Sequence, residues 1–203
     1  MTRAATPTDL AIRCYCGTVR GILTGVSARI GNRVVCYCDD CQAFANFLST
    51  DCDILDANGG TDIFQVSPAR LAFRQGKDQL ACLRLTPKGL LRWYTACCHT
   101  PIGNTLPTGK LPFIGLIHSC MDPGDRSLDE ILGPVRMRVM TQYAIGDLAG
   151  GKTYDRFPLF SMFPFMWKLL QWRIRGDHIY SPFFDPVTGE PMAAPQIISD
   201  IRN

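Results

Sequence analysis

Cys36-Tyr37-Cys38-Asp39-Asp40-Cys41 places three thiols within six residues. Side chains two apart on an extended segment point to the same face, so Cys36 and Cys38 can offer two sulfurs to one ion. A knuckle-like turn after them brings in Cys41 as a third ligand. Three protein ligands with a fourth position left open is the pattern of catalytic zinc. A disulfide within a Cys-x-Cys pair would be badly strained. Soft thiolates in a redox-silent tetrahedral site suit zinc, although iron–sulfur ligation uses the same side chains.

Outward from this stretch, nine of the ten cysteines lie between Cys14 and Cys98, and the chain holds only three histidines. Metal chemistry here is therefore thiolate chemistry. The pair Cys14-Tyr15-Cys16 needs two more ligands, and Cys97-Cys98 is the obvious supply. Together they close a four-thiolate site across about eighty residues, and a closed site is structural. An alternative stays open in which one of Cys97 and Cys98 ligates the second ion and only the other completes the first. Cys52, Cys82 and Cys120 read as buried thiols without a ligand role.

The order Cys14-x-Cys16-Gly17-x-Val19, Cys36-x-Cys38-x-x-Cys41, Phe64-Gln65, Gly76, Arg92-Trp93-Tyr94 and Cys98-His99-Thr100-Pro101 carries a resemblance over roughly residues 10 to 120. It resembles the glutathione-dependent formaldehyde-activating enzyme family, which includes centromere protein V, as a divergent member. The resemblance implies a mainly β chain with a β-tent zinc-binding fold and two zinc ions, one structural and one open to a thiol. Carried over by position, Cys14, Cys16 and Cys98 hold the structural ion and Cys36, Cys38 and Cys41 the open one. It also implies a carbon–sulfur lyase, similar to an S-hydroxymethylglutathione synthase, acting on a small thiol adduct. Two departures follow. Thr95 stands where the family has a cysteine, so Cys97 is the substitute ligand, with His99 as a weaker candidate. Tyr37 and Gln42 replace a histidine and a basic residue at the open site, and Asp39 and Asp40 add negative charge. That loss of positive charge weakens glutathione itself as the substrate and leaves room for another small thiol.

Composition bounds the alternatives. With 203 residues, 46% apolar and 19% charged, the chain can bury a core as one domain with a tail and is not disordered. A net charge of +3 without a Lys/Arg run gives little support for nucleic-acid binding. Residues 1–9 carry no apolar core of the kind a secretory signal needs, so reduced cysteines and a cytoplasmic location are expected.

Residues 10–145 are expected to form the zinc-binding β domain, and 146–203 a helical and extended appendage packed on it. Segments 33–38, 62–66, 80–85 and 90–94 read as short strands, with Pro87-Lys88-Gly89 as a hairpin turn. Ser127 and Glu130 make a capping-box pattern for a helix over 128–132, stopped by Gly133-Pro134. Residues 135–140 alternate apolar and basic as a half-exposed strand. Apolar and basic residues over 164–175 predict a second helix stopped by Gly176. Docking on the sheet or a homodimer contact is the expected use of its apolar face, and membrane-surface binding is the disfavoured one. Residues 181–197, with four prolines, read as an arm wrapping the domain. Catalytic side chains are not identified; His118 is the first choice if a base is needed. The competing functional reading is a zinc-stabilised interaction module without catalysis. Closure of the three-cysteine site by Asp39, His118 or Cys97 would favour it.

Overall fold

Along β1 (Thr8–Arg13), Leu10 and Ile12 are buried and their neighbours are not, the period of a strand with one covered face. The structure is a computed structural model that describes residues 6–50, 52–148 and 150–198. Among them the strands continue with β2 (Arg20–Val26), β3 (Asn32–Cys36), β4 (Thr61–Val66), β5 (Leu71–Gln75) and β6 (Leu80–Arg84). After these come β7 (Leu91–Thr95), β8 (Pro101–Thr105), β9 (Ile114–Ile117) and β10 (Met121–Asp122). The short strands β11 (Met137–Val139), β12 (Thr153–Tyr154) and β13 (Gln196–Ile197) complete the set. The α-helices are α1 (Asp39–Leu48), α2 (Leu128–Leu132) and α3 (Leu159–Ile174).

The architecture is mainly β. A four-stranded sheet runs β10-β1-β2-β5, and a nine-stranded sheet runs β12-β11-β3-β4-β9-β8-β7-β6-β13. The central strands pair antiparallel, which short connections permit; Gly89 N–H donates to Thr86 O in the expected turn between β6 and β7. Parallel pairing enters at the edges, where β11 joins β3, β12 joins β11 and β13 joins β6. The main core lies between the sheets, with Leu10, Ile12 and Leu23 from one and Phe64, Trp93, Ile102 and Leu116 from the other.

The outer face of the large sheet is covered by α1. Phe44 and Leu48 pack there with Leu83, Tyr94 and Ile117. The sequence reading placed a turn after Cys38, whereas the chain enters a helix at Asp39 and Cys41 rides on its first turn. Cys41, Phe44, Ala45 and Leu48 recur at helical spacing and are all buried, and packing that stripe on the sheet stabilises the helix.

α2 occupies the expected residues. Ser127 Oγ accepts from Glu130 N–H while the Glu130 carboxylate accepts from Ser127 N–H, and Gly133 ends the helix at φ 80°. α3 starts at Leu159, five residues before the expected start, with Pro164 inside it. A proline there removes the bond to the Phe160 carbonyl, and Phe160 is exposed, so water can satisfy that oxygen. In the C-terminal segment Phe183 and Phe184 enter the main core, and Gln196–Ile197 adds the edge strand beside β6. Among the described residues, no helix is long and apolar enough to cross a membrane.

Candidate metal centres

Two loops meet at the first centre. After β1 the chain turns through Cys14-Tyr15-Cys16-Gly17, where Gly17 N–H donates to Cys14 O and Val19 N–H donates to Cys14 Sγ at 3.2 Å. This turn requires Gly17 at φ 77°, a conformation that costs glycine little. Gly76 closes against the same turn; a Cβ there would sit 2.5 Å from Thr18 O. The facing loop joins β7 to β8 and carries Cys97 and Cys98. Tyr15 N–H donates to Thr100 Oγ1 at 2.9 Å and ties the loops together.

The sulfurs converge. Cys14 Sγ lies 3.5 Å from Cys16 and 3.8 Å from Cys97, Cys16 lies 3.5 Å from Cys97, and Cys97 lies 3.8 Å from Cys98. All four lie within 4.8 Å of one another. A tetrahedral ion with Zn–S bonds of about 2.3 Å needs sulfurs about 3.8 Å apart. The donor set and its spacing therefore fit zinc as a closed site. Burial pushes the Cys97 thiol up to about 12. Cys98 is held at about 5, because the Thr100 and Thr95 hydroxyls outweigh the effect of its burial.

Thr95, which the resemblance sets in the place of a cysteine, does not join the four. Its Oγ1 accepts from Thr100 N–H at 3.1 Å and lies 3.5 Å from Cys98 Sγ, so it braces the loop that presents Cys98. His99, the weaker ligand candidate, sits outside the group. Its Nδ1 is 3.2 Å from Leu48 O and its ring meets Tyr94 edge-on.

The second centre is Cys36 at the end of β3, Cys38 at the N-cap of α1 and Cys41 in the helix, all within 4.8 Å of one another. Cys41 N–H donates to Cys38 O at 3.0 Å and tightens this first turn. Among the described residues no histidine, carboxylate or fourth thiol joins these three; Cys97 belongs to the first centre, and His118 and Asp39 lie outside both groups. Hydrogen bonds from Cys36 and Cys38 hold the Cys41 thiol well below its ordinary value. Cys36 moves the opposite way, through its bonds to Cys38 and Cys41 and through burial. Thiolates this close repel, so all three ionise together only when a cation balances them. The three therefore fit a soft divalent cation as an open site, and both cysteine groups suit zinc.

A family model described as a family of unknown function, DUF6151, matches residues 8–194. The chain belongs to the DUF6151 family. No curated protein matches it. In this DUF6151 chain the matched span runs from the first strand through the core-packed arm, so it takes in both centres and α3.

One residue at the second DUF6151 centre went unrecognised in the sequence. Arg92, on β7, is buried, with Nη1 3.9 Å from Cys41 Sγ and 3.3 Å from Asn104 Oδ1. Its Nη2 lies 3.6 Å from Asp40 Oδ2, and its guanidinium lies 5.5 Å from the centroid of the Phe44 ring. The positive charge that Gln42 does not supply thus arrives from a strand about fifty residues away. Its signal was present as Arg92 in an otherwise apolar strand, since a buried arginine needs a partner. Gln42 serves the backbone, donating to Tyr37 O at 2.8 Å and Tyr143 O at 3.0 Å. Cys82 and Cys120 are buried outside both groups, and burial pushes each thiol up to about 12.

Proposed function

We propose that this chain is a zinc-dependent enzyme of the carbon–sulfur lyase type. It acts on a small thiol adduct and is a divergent relative of the glutathione-dependent formaldehyde-activating enzymes. The observation that carries the reading is the asymmetry of the two centres, one with four thiols and one with three. Cys14, Cys16, Cys97 and Cys98 would hold the structural ion, and Cys36, Cys38 and Cys41 the other. Zinc bound at the second centre would supply a Lewis acid with one vertex for a substrate thiolate beside an aldehyde carbon or a scissile carbon–sulfur bond.

The chain's own residues shape that chemistry. Three thiolates make the site net negative, which favours holding and orienting a thiol over strong activation of water. Arg92 offsets part of that charge from a buried position, where its effect is least screened. Asn104 accepts from Arg92 and keeps its guanidinium beside Cys41. Val34 and Ile63 pack with Cys41 and line an apolar flank, which keeps bulk water from one side of the cysteines.

The test uses the zinc-loaded full chain, glutathione and formaldehyde, with exchange between free and hydroxymethylated thiol followed by NMR. Acceleration by the wild type, lost in Cys38→Ser while the first ion and the fold persist, is the expected result. A chain that holds two ions and accelerates exchange of neither glutathione nor other small thiols overturns the enzyme reading in favour of the interaction module.

A further inference from the structure

Only one edge of α3 is docked. Leu169 and Trp172 are buried, and Phe165 and Lys168 are half-buried beside them. Among the described side chains, an apolar set on the rest of the helix is open: Leu159 is 85% exposed, Phe163 79% and Ile174 77%, joined by Phe160, Met166 and Trp167. Scattered apolar residues on a surface need no explanation, but this many on one sixteen-residue helix form a contiguous patch that calls for a cover.

Charge says what covers it. α3 contains no Asp or Glu, while Lys168 and Arg173 lie within it and Arg175 caps it. The nearest flanking carboxylates are engaged by the fold: Asp155 accepts from Thr141 Oγ1 and Asp177 from Ser67 Oγ. Lys168 and Arg136 flank an apolar cleft of about 230 Å³ under Phe160 and Phe165; each donates to a backbone carbonyl, Lys168 to Gly31 O and Arg136 to Ala28 O, and among the described residues neither has an ion-pair partner. A second copy seated on this face by two-fold symmetry would set Lys168, Arg173 and Arg175 against the same three residues, with no acid within either helix to answer them. An anionic bilayer surface answers both features, taking the aromatic and aliphatic side chains at the acyl boundary and the cations at the phosphates.

We infer that α3 is an interfacial anchor that lays its open face on anionic lipid, holding both metal centres at a membrane surface without crossing it. This goes beyond the proposed enzymatic reading and does not depend on it. Trp167 enters the acyl boundary while Trp93 and Trp172 stay in the protein interior. Arg173 and Arg175 sit among the headgroups.

The test is flotation of the zinc-loaded full chain with phosphatidylcholine vesicles, with and without phosphatidylserine, alongside sedimentation of the lipid-free protein. The wild type is expected to float with the phosphatidylserine vesicles, with a blue shift of tryptophan emission that Trp167→Phe removes. Arg173→Ala with Arg175→Ala weakens partitioning about fivefold per arginine. Phe163→Glu with Trp167→Glu abolishes flotation at unchanged melting temperature, because both positions are exposed. A wild type that stays unbound, or a Phe163→Glu/Trp167→Glu chain that floats equally well, overturns the inference. A lipid-free dimer converted to monomer by that same pair, with no flotation of the wild type, assigns the face to a second copy instead.

Discussion

Cys97 reaches the first centre because Thr95, two residues before it, anchors the loop that carries it. The loop between β7 and β8 turns tightly enough that His99 N–H donates back to Thr95 O at 2.8 Å, with His99 itself at φ 54°. That turn swings Cys97 to within 3.5 Å of Cys16 while Thr95 stays under the loop as a hydrogen-bond brace. Metal analysis with thermal melts should give two zinc ions in the wild type. Cys98→Ser is expected to lose one ion together with cooperative folding, because binding energy at a closed site is folding energy. Cys41→Ser is expected to lose the other ion at a cost of about 1–2 kcal/mol, a melting shift of about 2–8 °C. A wild type with a single ion would sink the two-centre model. At the second centre, Arg92→Met should weaken zinc about 10- to 100-fold in competition with a chelator while leaving the first ion in place, the usual size of an outer-sphere effect. The ligand residues themselves were legible because chelation demands cysteines grouped in sequence. Arg92 was not, because its role depends on which strand faces α1.

At the scale of elements, legibility followed how local the determining interaction is. The capping box of α2 closes within four residues, and the helix lies where Ser127, Glu130 and Gly133 place it. Ser127→Ala should destabilise the chain by about 1 kcal/mol in urea denaturation. Bonds from the Ser127 backbone and side chain hold the Glu130 carboxyl below its usual range. Its contribution is therefore present above the ordinary glutamate pKa and fades as pH falls through the lower folded value. An NMR titration should place the Glu130 midpoint below that of a free glutamate, and Ser127→Ala should return it upward. α1 was readable in principle: Asp39 and Asp40 lie at its positive end, and Cys41, Phe44, Ala45 and Leu48 recur at its period. The Cys-x-Cys-x-x-Cys spacing overlaps the first turn of that period and masks it. α1 also links the two centres. Its first turn carries Cys41, while Leu48 O meets His99 and Thr50 Oγ1 donates to Cys98 O just beyond its last turn. Ten helical residues set this span at about 15 Å.

Over the whole molecule, the arm is anchored in the core by Phe183 and Phe184. Phe183 is fully buried, with its ring 4.8 Å from Trp93 and 5.8 Å from Phe73. Phe183→Ala should cost about 3–5 kcal/mol in chemical denaturation, the price of a large cavity in a packed interior. A change under about 1 kcal/mol would mean the arm is only draped over the domain. The alternation of apolar residues, the turn residues between short segments and the clustering of thiols determined a mainly β chain with two cysteine-built centres, because these signals act over a few residues. Which strands become neighbours was decided only in three dimensions. The parallel edges β11 against β3 and β13 against β6, the delivery of Arg92 to Cys41 and the exposure of α3 depend on contacts between distant segments. Burial and charge pairing across such distances are settled by the packed structure, which no local window of sequence contains.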